Sequence, residues 1–503
     1  MHTSIECASE LGSGPDGKSR SDGRACVGPA VWSVIAVILI GMALRIWLSV
    51  STDFSIGDSF IGYRFAEQFA AGNGLVFNAG ESVGGNTSIL YSLLLGLGAC
   101  TGISIPIVAR SIGITCDVLT FLLLWNILKG RDGVRATWLQ VGIPALVYLC
   151  PILFFYSVSG METPFYILTL IFFLSRTLRG VDLLWHLAMA LVLFTRPDGL
   201  LAVATALAVM TVQSRKIPWP ALASTFVVGL AYLGFNYLSY GSMIPLTVAV
   251  KAEVFHNSLG QNFDYISSRF FFHRQAIFAA YLLLAAILVC ICRRKMMVVL
   301  FGAAAAAYLL FVLFAPYVRT WYVVPFLTLS VCAILFALAA LAEKARGVVW
   351  KPVVVVALAI YLAASCYGYR RVFVECGVWR QRIRDLQEQV GSWLRYNTPA
   401  DAKVFVTALE TGYFCKRHTW DWPGLVCPKV LDFIKSHRGT DYGLLDIAEH
   451  LQVDYAVLPD DSPNRIHPSF QRMTAFGTSK HATHMGLQDS CYSVYMRVAK
   501  VPR

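Results

Sequence analysis

Charged residues are scarce in this sequence: 14% of its 503 residues are Asp, Glu, Lys or Arg, whereas 56% are hydrophobic and the mean hydropathy is +0.59. A water-soluble surface needs more charge, so this composition excludes an ordinary soluble protein. A helix that spans a membrane needs about 20 mostly apolar residues, and many segments of the chain meet that requirement. We therefore predict an α-helical polytopic membrane protein.

Two kinds of metal motif are missing, since the sequence contains neither a CxxC nor an HExxH pattern. Spacing alone therefore predicts no metal ligands. The repeated halves found in many transporters are missing as well. The net charge of +12 does not indicate a nucleic-acid partner, because Lys and Arg fall largely in short turns between apolar runs. Cytoplasmic loops of membrane proteins have this composition.

The order of the apolar segments predicts the topology. Residues 1–29 are polar and predict a disordered cytoplasmic leader, followed by an uncleaved signal anchor from Ala30 to Val50. We expect about 11–13 spans within residues 30–377, and one segment between residues 88 and 178 should be short or re-entrant to keep basic loops inside. The further candidate spans are residues 88–103, 106–128, 141–157, 162–178, 183–195, 198–213, 219–238, 276–292, 297–315, 321–342 and 350–367.

Residues 378–503 have a different composition and predict a small α/β domain on the extracytoplasmic side. An amphipathic helix is expected over Trp379–Asn397. An apolar run follows at residues 404–409. Helical patterns lie near residues 429–436 and 443–451, and strand-like runs lie at residues 455–458 and 492–498. An oxidising compartment would also permit a disulfide between Cys415 and Cys427.

A polar loop, residues 51–87, separates the first span from the rest and should lie outside. Ile61, Phe65 and Phe69 recur every four residues within it, which predicts a short amphipathic helix on the membrane surface. Asp58 stands at the N-terminal edge of that helix. It is either the helix cap or a functional carboxylate, and the spacing does not decide between these roles.

Residues 57–88, GDSFIGYRFAEQFAAGNGLVFNAGESVGGNTS, resemble the first external loop of GT-C glycosyltransferases that use polyprenyl-phosphate-linked sugars. The string is especially similar to the branch containing the mycobacterial cell-wall terminal arabinofuranosyltransferases. That family commonly has two acids where this chain has Gly57-Asp58. Weaker similarities follow in the same order at residues 159–164, 195–199, 240–251, 319–322, 410–413 and 424–428.

The resemblance implies a bacterial plasma-membrane enzyme that transfers a sugar, with inversion, from a polyprenyl-phosphate donor to an envelope glycan or glycolipid. Such transfer needs a carboxylate to accept a hydroxyl proton and cations to stabilise the departing phosphate. We predict Asp58 as the general base and Glu81 as a second acid. The predicted substrate-binding residues are Arg64, Asn86, Glu162, Arg196, Asp198, Lys251, Arg319 and Tyr322. No cofactor is firmly indicated, and a need for Mg²⁺ or Mn²⁺ stays open.

Structural alternatives exist for most of these residues. Glu81 could belong to an exposed turn, and Asn86 could cap the following helix. Lys251 and Arg319 could extend toward the membrane interface, and residues 196–199 could form a tight turn with its own ion pair. For the whole protein, the alternatives are a lipid or sugar transporter or flippase, and a non-catalytic homologue that assists envelope assembly.

Overall fold

The computed structural model of the protein describes residues 29–129, 137–271, 274–344, 350–460, 467–477 and 491–498. The predicted leader, apart from its last residue, lies outside the described residues. The helices are α1 Pro29–Thr52, α2 Ser59–Ala70, α3 Ile89–Ala99, α4 Ile105–Lys129, α5 Thr137–Tyr148, α6 Pro151–Ser157, α7 Thr163–Thr177, α8 Leu183–Thr195, α9 Leu200–Ser214, α10 Trp219–Tyr240, α11 Leu246–Val254, α12 Leu259–Phe270, α13 Gln275–Ile291, α14 Met296–Phe314, α15 Thr320–Lys344, α16 Trp350–Arg380, α17 Glu388–Asn397, α18 Leu409–Cys415, α19 Pro428–Ser436 and α20 Leu444–His450.

The apolar helices confirm a polytopic membrane protein. Among the described residues, six helices are long and apolar enough to cross a membrane, or up to eight if each of two bent helix pairs is one span. The other predicted spans include apolar helices too short to meet this criterion, so the predicted 11–13 segments exceed the helices that meet it. The predicted spans at 88–103, 162–178 and 183–195 form helices of 11, 15 and 13 residues.

Helix α3 is the shortest of these three. Its 11 residues extend only about 16 Å, against a hydrocarbon core of about 30 Å. It fits the short segment expected between residues 88 and 178. The predicted span 141–157 is a bent pair, because α5 and α6 meet at an angle of 57° after a break of at most four residues. The apolar runs in the sequence therefore predicted the presence of helices well, but they did not predict which helices are long and straight enough to cross a membrane.

A buried ion pair joins α1 to α4. Arg45 is fully buried, and its Nη2 lies 2.7 Å from Oδ2 of Asp117, which is 4% exposed. Arg45 also donates to Ser157 Oγ at 3.0 Å and to the carbonyl oxygen of Tyr148 at 2.6 Å. The Tyr148 ring covers the guanidinium at 4.1 Å. Ionisable groups inside apolar helices are costly, so this pair depends on both partners being present.

The predicted loop helix exists as α2, but protein covers much of it. Seven of its twelve residues are buried, including Tyr63, Arg64 and Phe65. It packs against α3 and against α18 of the C-terminal domain. Packing between two parts of the protein therefore explains much of the amphipathic pattern, and the position of α2 on a membrane surface stays a prediction.

The last membrane helix continues into the C-terminal domain. Helix α16 passes directly into a π-helical segment, Gln381–Gln387, and then into α17. The predicted amphipathic helix over residues 379–397 is thus the end of a longer helix. π-helical turns interrupt the regular α-helical spacing of side chains and occur often at functional sites. This segment contributes Arg382 to the cavity described below.

The C-terminal domain contains a mixed five-stranded sheet of order β2-β1-β3-β5-β4. Strand β1 pairs in parallel with β2 and β3, whereas β5 pairs antiparallel with β3 and β4. The strands are β1 Lys403–Val406, β2 His418–Asp421, β3 Tyr455–Pro459, β4 Phe470–Gly477 and β5 Cys491–Arg497.

Helices cover both faces of this sheet. Val404 and Val406 point to one face, where they pack with Val390 and Leu394 of α17. Phe405 points to the other face and packs in the core formed with α19 and α20. Because successive side chains of a strand alternate between faces, burial on both sides explains the continuous apolar run of β1.

Three details of this domain differ from expectation. Cys415 and Cys427 are buried and free, so the disulfide considered between them is absent. Strands β2 and β4 were not predicted. The side chains of β4 are mostly exposed or half-buried, which leaves little apolar pattern to detect in the sequence.

Candidate active site

A cavity of about 620 Å³ lies between the membrane helices and the C-terminal domain. The loop before α2, helices α6 and α12, and the turn before α15 form one part of its wall. Helix α16, the π-helical segment and the loops after β1 and β2 form the rest. The charged residues of the wall are Asp58, Arg269, Arg319, Arg371, Glu375, Arg382, Glu410 and Asp421. Both parts of the chain are needed to build this cavity.

Asp58 presents its carboxyl group to the cavity. Its backbone is already helical, with φ −63° and ψ −21°, and its side chain accepts no capping hydrogen bond from α2. The helix-cap interpretation is therefore wrong. The side chain is exposed although it lies deep between the two parts of the protein. The carboxylate is free to meet a ligand in the cavity.

The surroundings of Asp58 make it more basic than an ordinary aspartate. The protein packed around Asp58 on both sides of the cavity removes part of the hydration of its charged form and raises the pKa of the carboxyl group, although the side chain itself is open to the cavity. The positive charges of Lys251, Arg319 and Arg382 oppose this rise without cancelling it. A carboxyl group with a raised pKa is a better proton acceptor once it is ionised.

Two cations near Asp58 are held by tyrosines. Lys251 on α11 donates from Nζ to the hydroxyl of Tyr322 at 2.6 Å. Arg319 donates from Nε to the hydroxyl of Tyr317, and its guanidinium lies 4.9 Å from that ring centre. Lys251 Nζ lies 5.9 Å from the same ring centre. Tyr317 thus lies beside both cations. Asp58 and Arg319 line the cavity, whereas Lys251 and Tyr322 lie behind its wall, where the charge of Lys251 still acts on Asp58.

A second group of predicted residues lies behind Tyr322. Arg196 is 4% exposed and forms ion pairs with Asp198 at 2.9 Å and Glu162 at 3.3 Å. Its guanidinium lies 5.2 Å from the Tyr322 ring centre. The predicted tight turn is present as a 3₁₀ turn, Pro197–Gly199. Glu162, Arg196 and Asp198 lie among the membrane helices on the far side of Tyr322, which binds Lys251, and they do not line the cavity.

Glu81, Arg64 and Asn86 lie outside the cavity lining. Glu81 accepts hydrogen bonds from Asn78 Nδ2 at 2.9 Å and from Trp420 Nε1 at 3.2 Å, which tie the loop to β2. Partial burial raises its pKa, but hydrogen bonds from His418, Asn78 and Trp420 outweigh that effect, so the pKa is lowered. A carboxylate with a lowered pKa is a weaker base than Asp58.

Arg64 and Asn86 serve local structure. Arg64 pairs with Glu67 at 2.8 Å and donates to the carbonyl oxygen of Phe77 at 3.1 Å. Asn86 Oδ1 accepts a hydrogen bond from the backbone N–H of Ser88 at 2.9 Å, just before α3. The loop is fixed by these contacts, which hold Asp58 indirectly through α2.

Several cavity residues were missed from the sequence. Arg382 belonged to the charged side of an amphipathic helix and could not be told from a solvated face. Glu410 occurred in the family-like run 410–413 without an assigned role. Asp421 is buried, which raises its pKa to about 6, and its carboxylate accepts backbone hydrogen bonds from Leu425 and Val426 at 2.9 Å. Asp421 thereby shapes one loop of the cavity wall.

No cluster of three or more His, Cys, Asp or Glu side chains suited to a metal ion occurs in the part of the chain that the structure describes. The described acids of the cavity therefore do not form a ready divalent-cation site. A requirement for Mg²⁺ or Mn²⁺ stays a prediction, and no chemical step is derived from it.

The helical architecture with a cavity beneath a small sheet domain defines the chain as a multi-pass membrane protein with the GT-C fold. It is similar to ArnT from Cupriavidus metallidurans bound to undecaprenyl phosphate, with a TM-score of 0.60, 11% identity, and coverage of 95% of this chain and 100% of ArnT. ArnT in the apo state gives a TM-score of 0.61 with 12% identity and the same coverage.

The structure is also similar to that of an archaeal protein. The oligosaccharyltransferase AglB from Archaeoglobus fulgidus, in complex with an inhibitory peptide and a dolichol-phosphate, gives a TM-score of 0.50 and 13% identity. The alignment covers 85% of this chain and 69% of AglB. Residues 377–495 match a family described as a domain of unknown function, DUF8728. No curated protein matches the chain by sequence. At these identities the structural likeness establishes a shared fold.

Proposed function

We propose that this protein is a glycosyltransferase that moves a sugar from a polyprenyl-phosphate donor to a cell-envelope glycan or glycolipid. The observation that carries the proposal is the free carboxyl group of Asp58 in a cavity that also holds cations. A base for the acceptor and positive charge for a phosphate are the two requirements of such a transfer. The shared GT-C fold supports the same assignment.

The donor class is supported by what the structural neighbours bind. ArnT was solved with undecaprenyl phosphate and AglB with a dolichol-phosphate. In this chain, Lys251 and Arg319 act on Asp58 electrostatically and so lie near it. Their position suits them to bind the donor phosphate by charge-assisted hydrogen bonds, which Arg can form in a bidentate manner.

The proposed step is a direct displacement. The acceptor hydroxyl gives its proton to Asp58 as its oxygen attacks the anomeric carbon of the sugar. The bond between that carbon and the phosphate oxygen breaks, and its electron pair leaves with polyprenyl phosphate. Lys251 and Arg319 stabilise the charge on the leaving phosphate. Attack from the face opposite the phosphate inverts the anomeric configuration.

The cellular location and the class of donor sugar are proposed from the sequence resemblance. We place the protein in the bacterial plasma membrane with its C-terminal domain on the extracytoplasmic side. The donor sugar is either a pentose such as arabinofuranose or a hexose. Neither the cavity lining nor the described contacts choose between these sugars.

The test combines purified protein with strain analysis. Purified protein should transfer label from short-chain polyprenyl-phosphoryl arabinofuranose or a polyprenyl-phosphoryl hexose to an envelope extract that retains both its glycans and its glycolipids. Mass spectrometry of envelope glycans from a deletion strain should show loss of one terminal sugar. Absence of both results would contradict the proposal. Lipid movement without transfer would instead favour the transporter or flippase alternative. No transfer by the purified protein, together with altered envelope assembly in the deletion strain, would favour a non-catalytic role.

Lys251→Met is expected to move the acidic limb of the kcat–pH profile to higher pH. The positive charge of Lys251 lowers the pKa of Asp58, so its removal lets burial raise that pKa further. Asp58 must be ionised to act as a base, and the limb follows its titration. The profile should be measured at saturating donor. Lys416→Met is the matched control, because Lys416 pairs with Glu67 away from the cavity. The assignment of Asp58 as the base beside Lys251 would be contradicted if Lys416→Met shifted the acidic limb equally, or if Lys251→Met did not shift it.

A further inference from the structure

Gly57, the residue before Asp58, faces a carboxylate from the other part of the chain. A Cβ atom built at Gly57 would lie 2.9 Å from Oε1 and 3.2 Å from Cδ of Glu410. The first of these distances is shorter than any normal contact, so a side chain at residue 57 would displace Glu410. The space beside Asp58 that a larger residue 57 would fill is therefore occupied by the Glu410 carboxylate.

Glu410 is held in this position by the packing of α18. The residue is 4% exposed and lines the cavity, and α18 packs against α2. Arg382 Nη2 lies 3.4 Å from Glu410 Oε1. Arg382 also acts electrostatically on Asp58, so the three charged groups form one local cluster.

The Glu410 carboxylate is not fully used by the protein. Oε1 is buried and makes no hydrogen bond among the described residues, although the Arg382 guanidinium lies 3.4 Å away as an ion-pair partner. A buried acceptor without a hydrogen bond costs free energy, and such groups in folded proteins usually have a functional reason. A hydroxyl-bearing ligand in the cavity would supply the missing type of group.

We propose that Glu410 is the second carboxylate of the active site, contributed by the C-terminal domain, and that Gly57 makes room for it. This inference rests on the proposed glycosyl transfer. Asp58 takes the proton of the attacking hydroxyl, while Glu410 accepts a hydrogen bond from a further hydroxyl of the acceptor. The acceptor is therefore a polyhydroxylated sugar, bound through more than its reacting oxygen.

The test is an exchange of the carboxylate between the two positions. Glu410→Gln keeps the shape of the side chain and should lower kcat/KM for the envelope acceptor roughly 10- to 100-fold, mainly through KM. Gly57→Asp should lose at least as much, because two carboxylates then compete for one space. Combining Gly57→Asp with Glu410→Ala should recover about tenfold over Gly57→Asp alone, since one carboxylate is restored.

Binding of undecaprenyl phosphate should be unchanged in Glu410→Gln, and Glu388→Gln on α17 is the matched control outside the cavity. Wild-type kcat/KM in Glu410→Gln, or no recovery in the combined variant, would overturn the inference while the proposed function stands. A merely structural Glu410 would give recovery by relief of crowding alone, and the combined variant would then be no more active than Glu410→Ala; a restored carboxylate should make kcat/KM of the combined variant exceed that of Glu410→Ala. Lack of transfer by the unaltered protein would overturn both.

Discussion

Asp58→Asn is expected to lower kcat for sugar transfer by about 10²- to 10⁴-fold, the contribution usual for a general base. The amide keeps the size of the side chain but cannot accept the hydroxyl proton. Binding of undecaprenyl phosphate should persist or strengthen, because a negative charge near Lys251 and Arg319 is removed. Transfer rates and lipid binding should be measured on the same purified preparation.

Glu81→Gln is the matched control for this experiment. Glu81 belongs to the same loop and was also predicted to be catalytic, but its carboxylate bonds to Asn78 and Trp420 outside the cavity lining. Its amide variant should keep most of the transfer rate. Full activity in Asp58→Asn, together with a large loss in Glu81→Gln, would reverse the two assignments.

Asp117→Leu should lower the free energy of unfolding by about 3–5 kcal/mol, the usual effect of removing one partner of a buried ion pair. Arg45 is fully buried, and this substitution would leave its charge among apolar helices with only neutral acceptors. Denaturant or thermal unfolding of the purified protein in one detergent should detect the change. Unaltered stability would show that the neutral contacts of Arg45 suffice.

The combined variant Arg45→Met and Asp117→Leu separates charge from packing. Replacing both members of a buried pair by apolar residues of similar size is often neutral, since the cost of desolvating both charges also disappears. We therefore expect the combined variant to recover most of the stability lost in Asp117→Leu. Failure to recover would mean that the pair contributes chiefly through its shape and its bonds to Ser157 and Tyr148.

Much of the helical part of the fold could be predicted from the sequence, because apolar runs and turn residues are local signals. The runs at 106–128, 297–315 and 321–342 correspond closely to α4, α14 and α15. Whether a helix crosses a membrane depends on its length and bend. A window of apolar residues reports these properties poorly, which is why more spans were predicted than the described helices that meet the length criterion on their own.

The active site was only partly predictable. Asp58, Lys251 and Arg319 were recognised because the resemblance covers the segments that contain them. Glu410 and Arg382 are more than 320 residues from Asp58 in sequence, and only folding brings them to the same cavity. Glu81 accepts a hydrogen bond from Trp420 of the C-terminal domain, and Arg64 Nη2 donates one at 3.4 Å to the carbonyl oxygen of Arg417 there; no local pattern contains that information.

An unbroken helix runs from α16 through Gln381–Gln387 to α17 and joins the membrane helices to the C-terminal domain. The cavity is lined by residues from both of these parts. Cutting the chain near residue 378 would separate Asp58 from Arg382 and Glu410, although both fragments would contain recognisable structure. Neither fragment would hold a complete binding surface. Fragment expression and domain exchange between relatives would therefore alter the chemistry of the site itself, even where the boundary between the two parts looks like a convenient place to divide them.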